Sequence, residues 1–444
     1  MNNTYEITDL VVQFAISDRL NSVSCLTKRT LRVSVVDWVT VALAGRNEPA
    51  SKLIRELEKE TGGANESVVI GLKNRLPSRT AAFVNGITGH ALDYDDTHFA
   101  SLGHPSAAVI PAALAIADKT GCAAEKFYDA TLVGMELAIR IGVWLGRTHY
   151  SKGFHVTSTA GAFGAAMAVS RILDLNNEQA KSAIGIVASR ASGIRAQFGT
   201  MGKAFHAGIA ASSGVEAALL AGKGFAAAQN ALEQPLGFGE THNGAFYEKA
   251  FDNLGESFTV DNITHKFHAC CHGTHATIEA LQALKKKENI DSSNIKKIDI
   301  LVNSNYLNIC NIEKPMKGIE AKFSFKLVAA LAVFGYDTSS LETFSDEVCQ
   351  KTSLMKLCNR VSVKSDPDVS ETQTKVFVHL SGGKILENTY DLSQGLPIEL
   401  REDKIFSKAA ALIGKPLVEN LWLEVGIGDK LPSRWMENNF TMDG

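Results

Sequence analysis

Helical periodicity in a segment unusually rich in alanine and glycine is the feature that most constrains the fold of this chain. Between about residues 5 and 255, apolar side chains recur every three or four positions, as Leu31, Val35 and Trp38 do. Small residues let helices approach closely, and the run AGAFGAA at 160–166 is one such stretch. We therefore expect a buried multi-helix core in this part of the chain.

The same periodicity predicts helices well beyond the first one. Gly45 stands where a left-handed cap would end the helix that carries Trp38. The further predicted helices span residues 107–117, 125–145, 158–173, 178–188, 207–221, 323–334, 402–413 and 415–423.

The pattern changes after about residue 260, where β-branched residues begin to alternate with polar ones. Residues 297–302 and 375–380 have this alternation, which is typical of strands. A Ser-Gly-Gly-Lys turn leads from the second of these segments into residues 385–390. This arrangement predicts a β-hairpin.

Length and patterning together predict two domains. At 444 residues the chain exceeds the usual size of a single core. We expect a mainly α fold with a large all-helical domain over residues 1–260, completed by C-terminal helices within 398–444. A smaller α+β domain is expected over residues 261–397.

Composition and charge narrow the class of protein. With 45% hydrophobic and 21% charged residues, the chain has the balance of a globular protein rather than a disordered or fibrous one. A net charge of -3 without sustained Lys/Arg runs argues against nucleic-acid binding. The N-terminus resembles no export signal, and the longest apolar stretch is short and interrupted by proline, so we expect a cytoplasmic protein that binds no membrane. Seven cysteines in such a chain predict reduced thiols.

Residues 91–106 concentrate reactive side chains between two apolar helical segments. Three carboxylates, Asp93, Asp95 and Asp96, lie within four positions, and a threonine and two histidines follow them. Burying such groups is costly unless they meet a substrate, a metal or one another. The segment therefore predicts a reactive site.

Three other segments place polar groups beside glycine or other small residues. They span residues 153–157, 198–203 and 266–275. Together they offer two lysines and several imidazoles, a mixture suited to gripping a small polyanion and to moving a proton.

These motifs resemble the MmgE/PrpD family of 2-methylcitrate dehydratases, cis-aconitate decarboxylases and iminodisuccinate epimerases. The matching segments occur in the family's order over nearly the whole chain. They are GHALDYDDT at 89–97, GHPS at 103–106, GFH at 153–155, GTMGK at 199–203, Lys266 with Cys270-Cys271 and Thr274-His275, and EAKFS at 320–324.

The resemblance implies a large all-helical domain, a smaller α+β lid domain, a homodimer, and lyase or isomerase chemistry without metal, flavin or iron–sulfur cluster. It also implies an active-site cleft between the domains. The residues that it assigns there are Asp93, His104 and His155 as catalytic groups and Thr97, Lys203 and Lys266 as substrate-binding groups.

The chemistry of these side chains suggests a role for each. Lys203 and Lys266 suit ammonium anchors for a small di- or tricarboxylate, and the Thr97 hydroxyl suits a hydrogen bond to it. The two histidines are candidates for general acid and base, because imidazole titrates near neutrality. Asp93 would orient one imidazole and stabilise its charged form.

One position departs from the family's decarboxylases. They have an active-site Tyr shortly after the Phe-Ser pair, where this chain has Leu327, and leucine cannot donate a hydrogen bond. We expect a cofactor-independent lyase that resembles cis-aconitate decarboxylase or 2-methylcitrate dehydratase. An epimerase or isomerase of a substituted succinate, similar to iminodisuccinate epimerase, is the alternative within the family, and a noncatalytic scaffold or binding protein is the alternative outside it.

Plainer structural interpretations compete with each site assignment. Asp93 also suits a helix cap, His104 before proline suits a turn, and Lys266 at a domain boundary suits an exposed lysine. His155 and Lys203 would be solvated loop residues in most chains. We assign four further histidines to structure or to support of the site; they are His98, His149, His206 and His242.

The dense set of cysteines and histidines at 268–275 raises a metal site as another hypothesis. Two adjacent cysteines do not easily bind one ion together, and no second Cys-x-x-Cys pair exists. His272 and His275 have no glutamate between them, as a His-Glu-x-x-His motif requires. We therefore expect no metal, and neither nucleotide-binding glycine motif occurs.

Overall fold

Long helices build the first of two structural units, Met1–His265 together with Ile413–Gly444. The computed structural model describes residues 6–17, 23–427 and 430–440. The helices of this unit before residue 265 are α1 (Ile7–Ile16), α2 (Cys25–Gly45), α3 (Pro49–Thr61), α4 (Ser78–His90), α5 (Pro105–Thr120), α6 (Ala124–Lys152), α7 (Val156–Ile172), α8 (Asn177–Ala188), α9 (Met201–Gly222) and the single turn α10 (Phe238–Thr241).

These helices confirm the periodicity argument, with differences at the ends. The predicted helix at 125–145 matches the first part of α6, which is interrupted at Gly146 (φ 70°) and resumes to Lys152, and the one predicted at 207–221 begins at Met201. The earlier start of α9 follows from a local cap, because the Thr200 hydroxyl accepts a hydrogen bond from the N–H of Gly202 at 3.1 Å. Sequence periodicity alone does not see such polar first turns.

Small residues let α6 and α7 come into backbone contact, as the glycine-rich sequence suggested. A Cβ added at Gly164 would lie 2.3 Å from the carbonyl oxygen of Gly134 and 2.7 Å from the Cβ of Ala138. No side chain other than hydrogen fits between the two helices at this point. The tight packing of the helical core therefore depends on residue size here.

One described helix, α9, is long and apolar enough by composition to cross a membrane. In the structure, 72% of its most apolar window is buried inside the protein. Its apolar character is therefore accounted for by its place in the helical core.

A four-stranded sheet and several helices form the second unit, Lys266–Leu412. The sheet has the order β2-β1-β3-β4, with β1 and β2 parallel and the other pairs antiparallel. Its strands are β1 (Ile295–Val302), β2 (Val361–Ser365), β3 (Gln373–Leu380) and β4 (Ile385–Asp391), and the helices are α11 (His275–Glu288), α12 (Ser304–Leu307), α13 (Gly318–Ala321), α14 (Phe325–Phe334), α15 (Asp346–Cys349), α16 (Thr352–Cys358) and α17 (Ile398–Ile413).

The mainly α fold with a smaller α+β part is confirmed, and so is the hairpin, which is formed by β3 and β4. Strand β2 was not predicted. Its five residues, VSVKS, are too few for a clear alternation, and its partner β1 lies about 60 positions earlier, from Ile298 paired with Val361. Such a parallel pairing leaves no local signal in the sequence.

The boundary between the units differs from the expected one at its C-terminal end. Helix α17 lies in the second unit, whereas the sequence prediction placed residues from 398 onward with the helical domain. An ion pair joins α17 to α11 of the same unit, since Nζ of Lys404 contacts Oε1 of Glu279 at 2.5 Å. The helices that follow, α18 (Lys415–Leu421) and α19 (Pro432–Asn439), belong to the first unit.

The contact between α6 and α7 gives a direct test of the packing. Replacing Gly164 with alanine gains roughly 1 kcal/mol of helix propensity, but the new methyl group meets a backbone oxygen that cannot move aside. We expect a net loss of about 1–3 kcal/mol in the free energy of unfolding, measured by urea denaturation. Gly382→Ala is the control, because its Cβ would meet no atom within 4 Å. A Gly164→Ala protein as stable as the wild type would refute the close contact.

Candidate active site

The loop between α4 and α5 carries the carboxylates of the sequence motif and is bounded by two histidines. His90 is the last residue of α4, and His104 is the N-cap of α5, directly before Pro105. Within the loop, Asp93 has a positive φ of 50°, in the left-handed region that aspartate tolerates better than most residues. The loop thereby turns back and brings both of its ends to one place.

The carboxylate of Asp95 joins the two histidines at the ends of the loop. Its Oδ1 accepts a hydrogen bond from His90 Nδ1 at 2.8 Å, and its Oδ2 lies 3.2 Å from His104 Nδ1. The side chains of Asp95 and His90 are fully buried, and that of His104 is 11% exposed. The two rings meet edge to face, with centroids 4.6 Å apart.

The position of Asp95 favours one of the two neutral forms of His104. Nδ1 of His104 lies 3.2 Å from Oδ2 of Asp95, at ion-pair distance but without the alignment of a hydrogen bond, and the carboxylate favours the form that carries its hydrogen on Nδ1. The lone pair is then on Nε2, which points toward Asp93 and lies 3.6 Å from its Oδ1. His104 is therefore oriented to accept or deliver a proton on the side of Asp93.

Asp93 and Lys203 form the more accessible part of this group. Nζ of Lys203, in the first turn of α9, lies 2.6 Å from Oδ2 of Asp93. The Asp93 side chain is 41% exposed and that of Lys203 is 17% exposed. An ammonium group has three N–H donors, of which Asp93 engages one. The other N–H groups of Lys203 can therefore bind an anionic ligand that lies next to Nε2 of His104.

His155 contributes a second imidazole pair close to the first. It is the N-cap of α7, it is buried, and its Nδ1 lies 3.1 Å from Nδ1 of His206 on α9. The two nitrogens can share only one hydrogen, so one ring donates and the other accepts. The ring of His155 also stacks on that of His90, with centroids 6.1 Å apart.

The surroundings lower the pKa values of His104, His155 and Asp95. Burial lowers the pKa of His104 to about 4, even though Asp95 opposes the shift. Burial and then the charge of Lys203 hold the pKa of His155 well below its usual value. Burial raises the pKa of Asp95, but its electrostatic contacts with His90 and His104 outweigh that effect, so the pKa lies well below its usual range.

The neighbouring carboxyl group of Asp96 behaves in the opposite way. Burial, with the charges of Asp95 and Asp37, raises the pKa of Asp96 to about 7 against the hydrogen bonds from Ser106. The Ser106 hydroxyl donates to Asp96 Oδ2 at 2.5 Å, and its N–H donates to Oδ1 at 3.2 Å. Asp96 therefore ties the loop to the first turn of α5.

Three of the predicted site residues are in direct contact in the structure. They are Asp93, His104 and Lys203. His155 is connected to this group through the ring of His90. The interpretation of His155 and Lys203 as solvated loop residues does not fit, since both side chains are largely shielded from solvent.

Thr97 bonds to the backbone, and Lys266 is buried in the second unit. The Thr97 hydroxyl donates to the carbonyl oxygen of Thr264 at 3.2 Å, so it binds a substrate only after it turns away. Lys266 belongs to the second unit. It is 3% exposed, which excludes the interpretation as an exposed lysine at a domain boundary.

Sequence reasoning did not recognise the central residue of the site. It gave the orienting role to Asp93, whereas Asp95 lies closer to the imidazoles and Asp93 pairs with Lys203. His90 was part of the quoted motif without a role, and His206 was assigned to structure or support. His90 and Asp95 are five positions apart across a helix end, and this spacing could have indicated that their side chains meet.

Four of these residues also offer ligand atoms that a cation could share. Atoms of His90, Asp93, Asp95 and His104 lie within 4.8 Å of one another. The ammonium of Lys203 already supplies a positive charge 2.6 Å from Asp93, and that disfavours a second cation. Among the described residues, the cysteines and histidines at 268–275 do not form such a group.

Comparisons with known proteins cover almost the whole chain. The MmgE/PrpD N-terminal domain matches residues 9–247, and the MmgE/PrpD C-terminal domain matches residues 268–420. A cis-aconitate decarboxylase-like protein of Aspergillus oryzae is 26% identical over 92% of this chain and 89% of its own length. The cis-aconitate decarboxylase of Homo sapiens is 28% identical over 89% of this chain and 87% of its own length. The cis-aconitate decarboxylase of Aspergillus terreus is 24% identical over 88% of this chain and 86% of its own length.

The state of His104 gives a test that needs no substrate. We expect nitrogen-15 NMR of the imidazole groups to find His104 neutral at pH 7, with hydrogen on Nδ1, and to find its pKa at about 4. A His104→Gln variant identifies the signal by its loss. A pKa near 6.5, or hydrogen on Nε2 of the neutral ring, would contradict the arrangement around Asp95.

Proposed function

The chain belongs to the MmgE/PrpD family, and on that premise we propose that it is a lyase acting on a small di- or tricarboxylate, with decarboxylation of cis-aconitate as the leading candidate. The observation that supports this most is the position of His104. Its Nδ1 faces the ionised Asp95, and its Nε2 faces Asp93, which pairs with Lys203. A group that transfers protons therefore lies beside a cation, as a reaction on a carboxylate substrate requires.

Decarboxylation of an unsaturated tricarboxylate makes two demands on such a site. The bond between the carbon skeleton and one carboxylate breaks, carbon dioxide leaves, and the electron pair stays on the skeleton. The double bond delocalises this pair toward a remaining carboxylate, where a nearby cation stabilises it. Lys203 suits this role. The carbon atom must then receive a proton from an acid.

We propose that His104 is this acid and that the substrate itself charges it. The free protein holds His104 neutral, with its pKa lowered to about 4 mainly by burial. A polyanion bound beside the ring favours the protonated form, and Asp95 at Nδ1 stabilises the same form. His104 would take a proton from solvent as the substrate binds, and would deliver it from Nε2 to the carbon atom.

Further roles in this proposal follow the sequence interpretation. His155 serves as the second acid or base. Its Nδ1 lies 3.1 Å from Nδ1 of His206, and this contact fixes which ring nitrogen of His155 carries the hydrogen. Lys266 anchors another carboxylate, and Thr97 adds a hydrogen bond once its hydroxyl leaves the Thr264 carbonyl. A homodimer, a cytoplasmic location and independence of cofactors also stay predictions.

Leu327 favours a second candidate within the same family. It occupies the position that the family's decarboxylases fill with tyrosine, and it is fully buried in the first turn of α14. No hydroxyl is available there to donate a hydrogen bond. An epimerase of a substituted succinate uses one group to remove a proton and another to return it, and His104 with His155 supplies both without a tyrosine.

One NMR experiment distinguishes these reactions. The purified protein is incubated in deuterated buffer with cis-aconitate, 2-methylcitrate, citrate and substituted succinates in turn. We expect cis-aconitate to lose carbon dioxide and to gain one deuterium on carbon. Loss or gain of water would identify a dehydratase, and deuterium at a stereocentre without net conversion would identify an epimerase.

The same experiment includes two histidine variants. We expect His104→Gln to slow the conversion by roughly 10²- to 10⁴-fold, the usual contribution of a general acid or base. His379→Gln is the matched control, because His379 lies on β3 and pairs with Asp299. No reaction with any of these acids would contradict the proposal and would favour a noncatalytic binding protein.

A further inference from the structure

Two cysteines of the second unit have their sulfur atoms in contact. Sγ of Cys310 lies 3.2 Å from Sγ of Cys271, and the two residues are 39 positions apart in the chain. All seven cysteines of the protein are free thiols in the structure. A disulfide requires sulfur atoms about 2.0 Å apart, so a movement of about 1 Å would join this pair.

The backbone around both cysteines is attached to the same short segment. The N–H of Cys271 donates to the carbonyl of Lys322 at 3.0 Å, and the N–H of Phe325 donates to the carbonyl of Cys310 at 3.1 Å. Gly273 permits the approach, because a Cβ there would lie 3.2 Å from the Cys310 sulfur and 2.5 Å from the Tyr306 ring. The two thiols are thus held together by local hydrogen bonds.

The two thiols differ in a way that suits an attacking and a resolving cysteine. Cys271 is half-buried and accepts the hydrogen of the Cys310 thiol, whereas Cys310 is fully buried. Contact with Cys271, followed by burial, raises the pKa of Cys310 above its usual value. Cys271 is therefore the thiol that an oxidant reaches first, with Cys310 directly behind it.

Nearby positive charge opposes part of the rise that burial causes in the pKa of Cys270 and Cys310. Burial raises the pKa of the neighbouring Cys270 to about 12, but the charges of Lys322 and Lys266 act against this rise. The charge of Lys266 also acts to lower the pKa of Cys310. Two ammonium groups are thus close to the cluster, and such surroundings promote reactivity of an accessible cysteine.

We propose that Cys271 and Cys310 are an oxidation site of this protein, at which a peroxide forms a reversible disulfide. The Cys271 thiolate attacks hydrogen peroxide, a sulfur–oxygen bond forms, the oxygen–oxygen bond breaks, and the departing hydroxide takes up a proton as water. Cys310 sulfur then attacks the sulfur of this sulfenic acid. The sulfur–oxygen bond breaks, and the leaving hydroxide takes the Cys310 proton. Two thiols and one peroxide thus give one disulfide and two waters.

The surroundings of Cys270 can be compared with those of Cys271 to test this proposal. It is adjacent to Cys271 in the chain, yet its sulfur contacts the Thr274 hydroxyl at 3.1 Å and it is 5% exposed. A buried thiol with a raised pKa is a poor nucleophile. Proximity in sequence alone would make both cysteines equal partners for Cys310, whereas the structure selects Cys271.

Mass spectrometry of the whole protein after oxidation tests the site. The reduced protein is treated with hydrogen peroxide at equal concentration, remaining thiols are blocked with iodoacetamide, and the protein is digested. We expect a peptide pair that joins Cys271 to Cys310 and separates again after dithiothreitol. The Cys270→Ser variant should form the same bridge, which excludes Cys270 as the partner.

Two outcomes would overturn the proposal. One is a wild-type protein that keeps its fold by circular dichroism and loses other thiols to peroxide without forming the bridge. The other is loss of the bridge in Cys270→Ser, which would make Cys270 the reacting residue. In Cys310→Ser, we expect dimedone to trap sulfenic acid on Cys271. The wild-type result decides the matter even if this buried variant fails to fold.

Discussion

The arrangement of the candidate site depends on the contacts that the buried carboxylate of Asp95 makes with two histidines. A carboxylate without exposure to water is stable only where other groups replace its hydration. His90, at one end of the loop, donates a hydrogen bond to one oxygen of Asp95, and Nδ1 of His104, at the other end, lies 3.2 Å from the other oxygen. The end of α4 is thereby joined to the start of α5. The loop between them is also fixed where Asp93 meets Lys203.

The charges around Asp95 explain how a neutral group can become the acid of a reaction. Lys203 balances Asp93, and burial lowers the pKa of His104 and His155 so that both rings are neutral. In the proposed reaction, a polyanionic substrate brings more negative charge to this site than Lys203 neutralises while it pairs with Asp93. Protonation of His104 would supply further positive charge, so substrate binding and activation of the acid would be one event. The proposed lyase chemistry depends on this coupling.

Much of the fold could be predicted from the sequence, and less of the site could. Helices such as α7 and the hairpin of β3 and β4 follow from local periodicity. Strand β2 could not be predicted, because its parallel pairing with a distant strand leaves no local pattern. The motif located the site, but three nearby aspartates look alike in sequence. Only the path of the loop decides that Asp95 faces the histidines while Asp93 faces Lys203.

The activity of an Asp95→Asn variant on the substrate identified by NMR tests the central claim most directly. Asparagine keeps the size of the side chain but removes the charge that orients and stabilises His104. The account predicts that kcat/KM falls by roughly 10²-fold or more, without loss of fold. Asp96→Asn is the matched control. The pKa of Asp96 is raised to about 7, so it is largely uncharged at pH 6, and asparagine should be tolerated there. Full activity of Asp95→Asn would contradict the account.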